Sequence, residues 1–216
     1  MADKLITDLT GIAAVLADNT VWEAHRSGQA GSEKHTGTQL KAYLADGSTI
    51  ATLFPHGSLP TVTLAATLDT ISDLSTPLSV TPVLDFDGAA QDEHAEWLIE
   101  IPIWYTGGGL TFVIKYAMAG TDADDVQFEV RALYMADTAD LDTDLGMDTQ
   151  TGTDITDTPT GTQNAMMVTA SGAVTHANAG SPAAGGLVRI RITRDFDHAA
   201  NTDDAQLVCV HVTETP

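Results

Sequence analysis

Glu96-Trp-Leu-Ile-Glu-Ile-Pro-Ile-Trp-Tyr105, the triplet Gly107-Gly-Gly109, and then Leu110-Thr-Phe-Val-Ile-Lys-Tyr-Ala-Met118 form the stretch on which the fold turns. Trp97, Ile99, Ile101 and Ile103 alternate along the first segment, and Leu110, Phe112, Ile114, Tyr116 and Met118 along the second. A period of two places alternate side chains on one face of a strand, whereas a helix would group them at three and four. The glycines between supply a turn. Pro102 lacks an N–H, so its strand is expected at a sheet edge or a bulge, and an edge beside Trp97 and Trp104 favours contact with another chain.

The same alternation recurs downstream. Val126, Phe128, Val130, Ala132 and Tyr134 oppose Gln127, Glu129 and Arg131 after an acidic turn at Gly120 to Asp125. Met166 to Thr169, Leu187 to Thr193 and Ala205 to Val212 read as further strands, with weaker ones near 83–87 and 173–176. In Leu187 to Thr193, Val188, Ile190 and Ile192 face inward and Arg189 and Arg191 outward. Asp137 to Thr162 reads as a long Asp/Thr-rich loop. Short strands separated by Gly and Asp turns, uninterrupted by helices, predict an antiparallel jelly-roll β-sandwich over 83–216.

Upstream, residues 1–46 form a small, partly helical arm. Leu5, Leu9, Ile12 and Leu16 suit one helix face, Val21 to Arg26 suits a strand, and Thr38 to Leu44 a second short helix. Residues 47–82 carry Pro55, Pro60, Pro77 and Pro82, a density that forbids a long helix. They are expected as an extended Pro/Thr-rich connector with short strands, laid along another surface.

Charge limits the partners. Nine Lys plus Arg stand against thirty Asp plus Glu, a net charge of −21. Phosphate backbones and anionic membranes need clustered cations, so neither nucleic acid nor membrane is an expected partner. An acidic surface keeps a protein soluble and suits high-salt surroundings. No signal-peptide pattern opens the sequence and no apolar run is long enough to cross a bilayer, so assembly in a cytoplasm is expected. Cys209, the single cysteine, sits in an apolar run and reads as a buried small hydrophobe.

The search for chemistry returns little. Asp137, Asp140, Asp142, Asp144 and Asp148 cluster, and Asp140 to Asp144 starts like an EF-hand loop. Its sixth position is Leu145 rather than Gly, and its twelfth is Thr151 rather than Glu, so a solvated acidic loop is the reading and no metal is assigned. His25, His35, His56, His94, His176, His198 and His211 lack zinc-ligand spacing. Glu96 and Glu100 share one strand face and read as solvent-facing rather than as a glycosidase pair. Nucleophile-elbow and phosphate-loop motifs are absent. No cofactor and no enzyme activity are expected.

The strings Leu84-Asp-Phe-Asp-Gly88, Glu96 to Tyr105, Gly109 to Tyr116 and Leu187 to Leu207 resemble the jelly-roll domains of tailed-phage virion proteins. The N-terminal Lys4-Leu-Ile-Thr-Asp-Leu-Thr10, Val21 to Gly28 and Gly37 to Leu44 are similar to the virion-attaching segments of phage fibre and head-decoration proteins. That resemblance implies a capsid decoration (cement) or head-fibre protein on the virion surface. It would act as a homotrimer, with the major capsid protein as partner and Leu5, Leu9, Ile12, Trp22, Leu40 and Tyr43 as attachment residues. A tail-fibre or baseplate component is the first alternative. The second is a carbohydrate-binding β-sandwich module, with Trp97, Trp104 and Tyr105 stacking on host-surface glycans.

Overall fold

The computed structural model describes residues 21–24, 33–36, 49–59, 64–73, 79–88, 91–139, 146–197 and 201–215. Alternation becomes pairing almost everywhere the pattern is strong. β1 (Val21–Ala24) and β2 (Glu33–Thr36) form an antiparallel hairpin of their own, with Trp22 opposite His35. Leu5, Leu9, Ile12, Leu40 and Tyr43, and both short helices expected around them, lie outside the described residues.

β3 (Thr49–Leu53), β4 (Thr67–Asp73), β5 (Ser79–Phe86), β7 (Leu110–Met118), β10 (Met167–Val168), β11 (Gly172–Val174) and β13 (Ala205–Glu214) build the larger sheet. β6 (Glu93–Glu100), β12 (Leu187–Asp195), β8 (Val126–Met135) and β9 (Thr153–Asp157) build the smaller one, in that spatial order. All pairings of these named strands are antiparallel. The architecture is the jelly-roll β-sandwich that the alternation predicts.

The connector contributes to it. β3 pairs with β13 and β4 with β5, so the surface on which residues 49–53 and 67–73 lie is the sandwich of their own chain. β13 makes this possible by changing neighbours. Its start pairs with β5 through Ala205–Leu207 and its later half with β3 through Val210–Thr213. A register shift between Leu207 and Cys209 marks the changeover. Such a bulge moves the inward parity by one, so Ala205 and Leu207 point inward before it and Val210 and Val212 after it.

Phe86, Phe112, Ile114, Tyr116 and Leu207 from the larger sheet meet Trp97, Phe128, Val130, Ile190 and Ile192 from the smaller. Phe128 is edge-on to both Phe86 and Tyr116, with centroids 6.3 and 5.3 Å away. Tyr116 spans the layers and donates its hydroxyl to Asp157 Oδ2 at 2.8 Å. Burial, followed by that carboxylate, pushes the phenol far above its ordinary pKa.

Three sequence expectations change. The Asp137–Thr162 loop contains β9, an edge strand whose Thr-Asp-Ile-Thr-Asp buries only Ile155, too little apolar signal for periodicity to register. The 96–105 strand ends at Glu100, because the chain turns at Pro102, whose carbonyl accepts the Tyr105 N–H at 3.0 Å. Ile103 is therefore 64% exposed instead of sharing the buried face of Trp97. Glu96 does not face solvent: it is 7% exposed beneath arginines, whereas Glu100 is exposed.

β6 is an edge strand, and its open side is partly covered. Leu59 N–H donates to Glu96 O at 2.7 Å, His94 N–H to Leu64 O at 2.8 Å, and Ala66 N–H to His94 O at 3.0 Å. The connector thus occupies the edge expected to meet another chain.

Candidate functional site

Trp97 is 3% exposed, with its indole N–H donating to Phe54 O at 3.0 Å. Tyr105 is 7% exposed; its hydroxyl accepts the Gly109 N–H at 3.2 Å and lies 3.2 Å from His176 Nδ1. Burial, helped by the Glu214 carboxylate and opposed by the Gly109 N–H, raises its pKa above the ordinary value. Neither ring offers a free face to a sugar, so the stacking role expected of them is withdrawn. Trp104 is half-buried, in the turn after Pro102. The core reading of these aromatics, favoured by the alternation, holds for Trp97 and Tyr105.

The polar chemistry gathers elsewhere, on the outer face of the smaller sheet. Register places Glu96, Arg191 and Arg131 in one row across β6, β12 and β8. His94, Thr193, Glu129 and Asp154 form the next row, across β6, β12, β8 and β9. Arg191 and Arg131 are direct cross-strand neighbours, an arrangement that repels unless carboxylates intervene. They do. Glu96 Oε1 accepts Arg191 Nε and also meets its NH2, both at 2.7 Å. Asp148 binds the remaining arm of Arg191. Glu129 Oε2 lies 2.9 Å from Arg131 NH2, and the Asp148 carbonyl accepts from Arg131 NH1 at 3.0 Å. Arg189 approaches Glu96 Oε2 at 4.0 Å. Burial opposes the charge on Arg191, but the bonds to Glu96 and Asp148 outweigh it and raise its pKa.

These side chains floor an open basin of about 360 Å³ lined by Leu64, Asp92, His94, Glu129, Arg131, Asp148, Arg191 and Thr193. Burial, then the Arg191 guanidinium, lowers the His94 pKa, which favours the neutral ring that both donates and accepts. The basin offers donors and acceptors side by side, with neither charge sign in control.

Sequence reading missed this site. Asp92, His94, Glu129 and Arg131 are ordinary outward strand or turn positions, and only pairing brings them to Arg191 and Thr193. The one visible signal was the outward Arg-x-Arg of β12 beside outward acids on two other strands. Among the described residues, no group of three or more His, Cys, Asp or Glu side chains is placed to hold a metal ion. Of the expected acidic loop, Asp148 is committed to Arg191, and Asp140, Asp142 and Asp144 lie outside the described residues.

No protein-family model matches the chain, and no curated protein matches it. Among solved structures it is similar to a CBM35 module from Cellvibrio japonicus, at 13% identity and TM-score 0.42, over 78% of this chain and 95% of that one. It is similar to a CBM6 module from Clostridium stercorarium solved with cellobiose, at 9% identity and TM-score 0.43, over 79% and 98%. A carbohydrate-binding module described for mannan recognition aligns at 10% identity and TM-score 0.39, over 79% and 100%.

Proposed function

We propose that this chain is a carbohydrate-binding β-sandwich module that takes a neutral, hydroxyl-rich ligand on the outer face of its smaller sheet. The observation that carries this reading is the basin's lining. Arg131 and Arg191 alternate with Asp92, Glu129 and Asp148 around about 360 Å³ of open space. A hydroxyl both donates and accepts, so a pair on adjacent sugar carbons answers a carboxylate and a guanidinium together. A phosphate would meet three carboxylates, and an organic cation two guanidiniums. Neutral sugars fit where either ion is repelled. The ion pairs already fix the side chains, which lowers the ordering cost of binding.

Titration of isotope-labelled protein with neutral oligosaccharides tests this. The amide resonances of His94, Glu129, Arg191 and Thr193 are expected to shift saturably, and Arg191→Met to abolish the shifts. The absence of saturable binding across plant, fungal and bacterial glycans would overturn the proposal.

A second reading, a structural subunit of a phage virion, draws on a different observation. Among the described residues, the β1–β2 hairpin forms its own two-stranded sheet, apart from both sheets of the sandwich. An arm organised separately suits attachment to a capsid subunit, with trimerisation left to the sandwich. Removal of residues 1–46 is then expected to abolish particle binding while the sandwich stays folded. Retained binding would exclude the arm.

A further inference from the structure

Leu64 has φ +54°, in the left-handed region. A leucine there crowds its Cβ against its own backbone, a conformation that glycine or asparagine adopts far more readily. Two hydrogen bonds hold the segment in place, from His94 N–H to Leu64 O at 2.8 Å and from Ala66 N–H to His94 O at 3.0 Å. The same His94 lines the basin with its side chain. The strained backbone is thereby fastened to the strand that carries the site. Strain that persists in a folded chain is a pointer to function when it sits at a binding surface.

The side chain that this backbone presents is the second observation. Leu64 is 44% exposed, and among the described lining residues it is the sole apolar one. A pyranose has a polar rim of hydroxyls and an apolar face of C–H groups. The charged floor answers the rim, and Leu64 answers the face. An apolar wall placed against a polar floor is the division of labour expected of a small-molecule site. We propose that Leu64 is the specificity-determining platform of the basin, held in left-handed backbone so that its side chain covers the C–H face of a bound neutral sugar.

This inference rests on the carbohydrate-binding reading, and two substitutions separate the two. Leu64→Ala removes the platform and keeps the strained backbone. Leu64→Gly removes the platform and relieves the strain. Binding of the best neutral oligosaccharide is measured by calorimetry, with the His94 and Thr193 amides as site markers and thermal melting as a fold control. Both variants are expected to bind about five- to tenfold more weakly, the loss anticipated for uncovering part of a leucine. Leu64→Gly is expected to melt at or above the temperature of Leu64→Ala, which shows that the affinity loss does not come from lost folding. If either folded variant binds as tightly as the parent while the His94 and Thr193 amides still shift, the platform is refuted and the basin stands. If the parent binds no neutral sugar, the basin reading falls and the platform falls with it.

Discussion

Arg191 and Arg194 stand on the same strand and live in opposite surroundings. Arg191 points outward into the basin and is held by carboxylates, Glu96 and Asp148. Arg194 continues the inward series of Val188, Ile190 and Ile192 and is 1% exposed. Its guanidinium donates to two backbone carbonyls, Phe86 O and Asn201 O, each at 3.0 Å. Burial lowers its pKa, while Asp204, Asp87, Asp203 and Asp85 work to raise it. One arginine closes the end of a core by tying the end of β5 to the loop that enters β13. The other shapes an open surface by holding side chains apart. Residue type alone decides neither role; the orphaned groups around each guanidinium do.

The sharpest way to break that contrast is to remove each charge and keep the bulk. Arg194→Met removes both bonds to the Phe86 and Asn201 carbonyls and leaves four acids without their buried cation, so about 3–4 kcal/mol of stability should be lost in urea unfolding. Arg191→Met should cost less, about 2 kcal/mol, since Asp148 reaches water and Arg189 stays near the buried Glu96, yet abolish ligand-induced shifts in the basin. Equal losses from the two would show that the inner and outer arginines are energetically alike.

A second substitution probes the connector that covers the β6 edge. Trp97→Phe keeps the ring in the core but loses the indole bond to Phe54 O. About 1 kcal/mol of stability should be lost, with faster hydrogen exchange at the Leu59 amide. Unchanged exchange would mean that the edge bridges, rather than the indole, hold the connector.

Titration sharpens the comparison at the Arg194 end. Burial, then Asp204, Asp69 and Glu93, raises the Asp85 pKa from 3.8 to about 6, with Arg194 pulling the other way. Asp85 Oδ1 and, on the neighbouring strand, Gln206 Oε1 are both buried without a hydrogen-bond partner. The folded chain therefore holds a proton that the unfolded chain has released. This contribution is fully present below 3.8 and is lost as pH rises through about 6. Melting of the parent relative to Asp85→Asn should accordingly worsen between pH 4 and pH 7. The difference should be under about 1 kcal/mol after allowance for solvent screening, the smallest of these effects. A parallel pH course in both proteins would exclude Asp85 as its source.

Strands were legible wherever one face is continuously apolar, as in β7, β8, β12 and β13. Legibility failed where burial is sparse. β9 buries one isoleucine, and β4 keeps Leu68 53% exposed at the rim of its sheet. The tryptophans were read as core first; Trp97 is, and Trp104 is only half-buried, because alternation says which residues share a face and not whether that face is covered. The basin was invisible for a related reason. Its residues come from the connector, three strands and two loops, and none carries a local motif.

The sequence alone determined the β class, the positions of the principal turns and the acidic surface. Each follows from side-chain period, backbone freedom at glycine, or charge count, which are local or additive properties. Tertiary structure alone decided that the connector joins the sandwich, that Arg194 turns inward, and that Arg131, Arg191 and their carboxylates share one face. Those outcomes depend on strand register and on the bulge in β13. A single-residue shift in either exchanges the inner and outer faces, and no local signal specifies that choice.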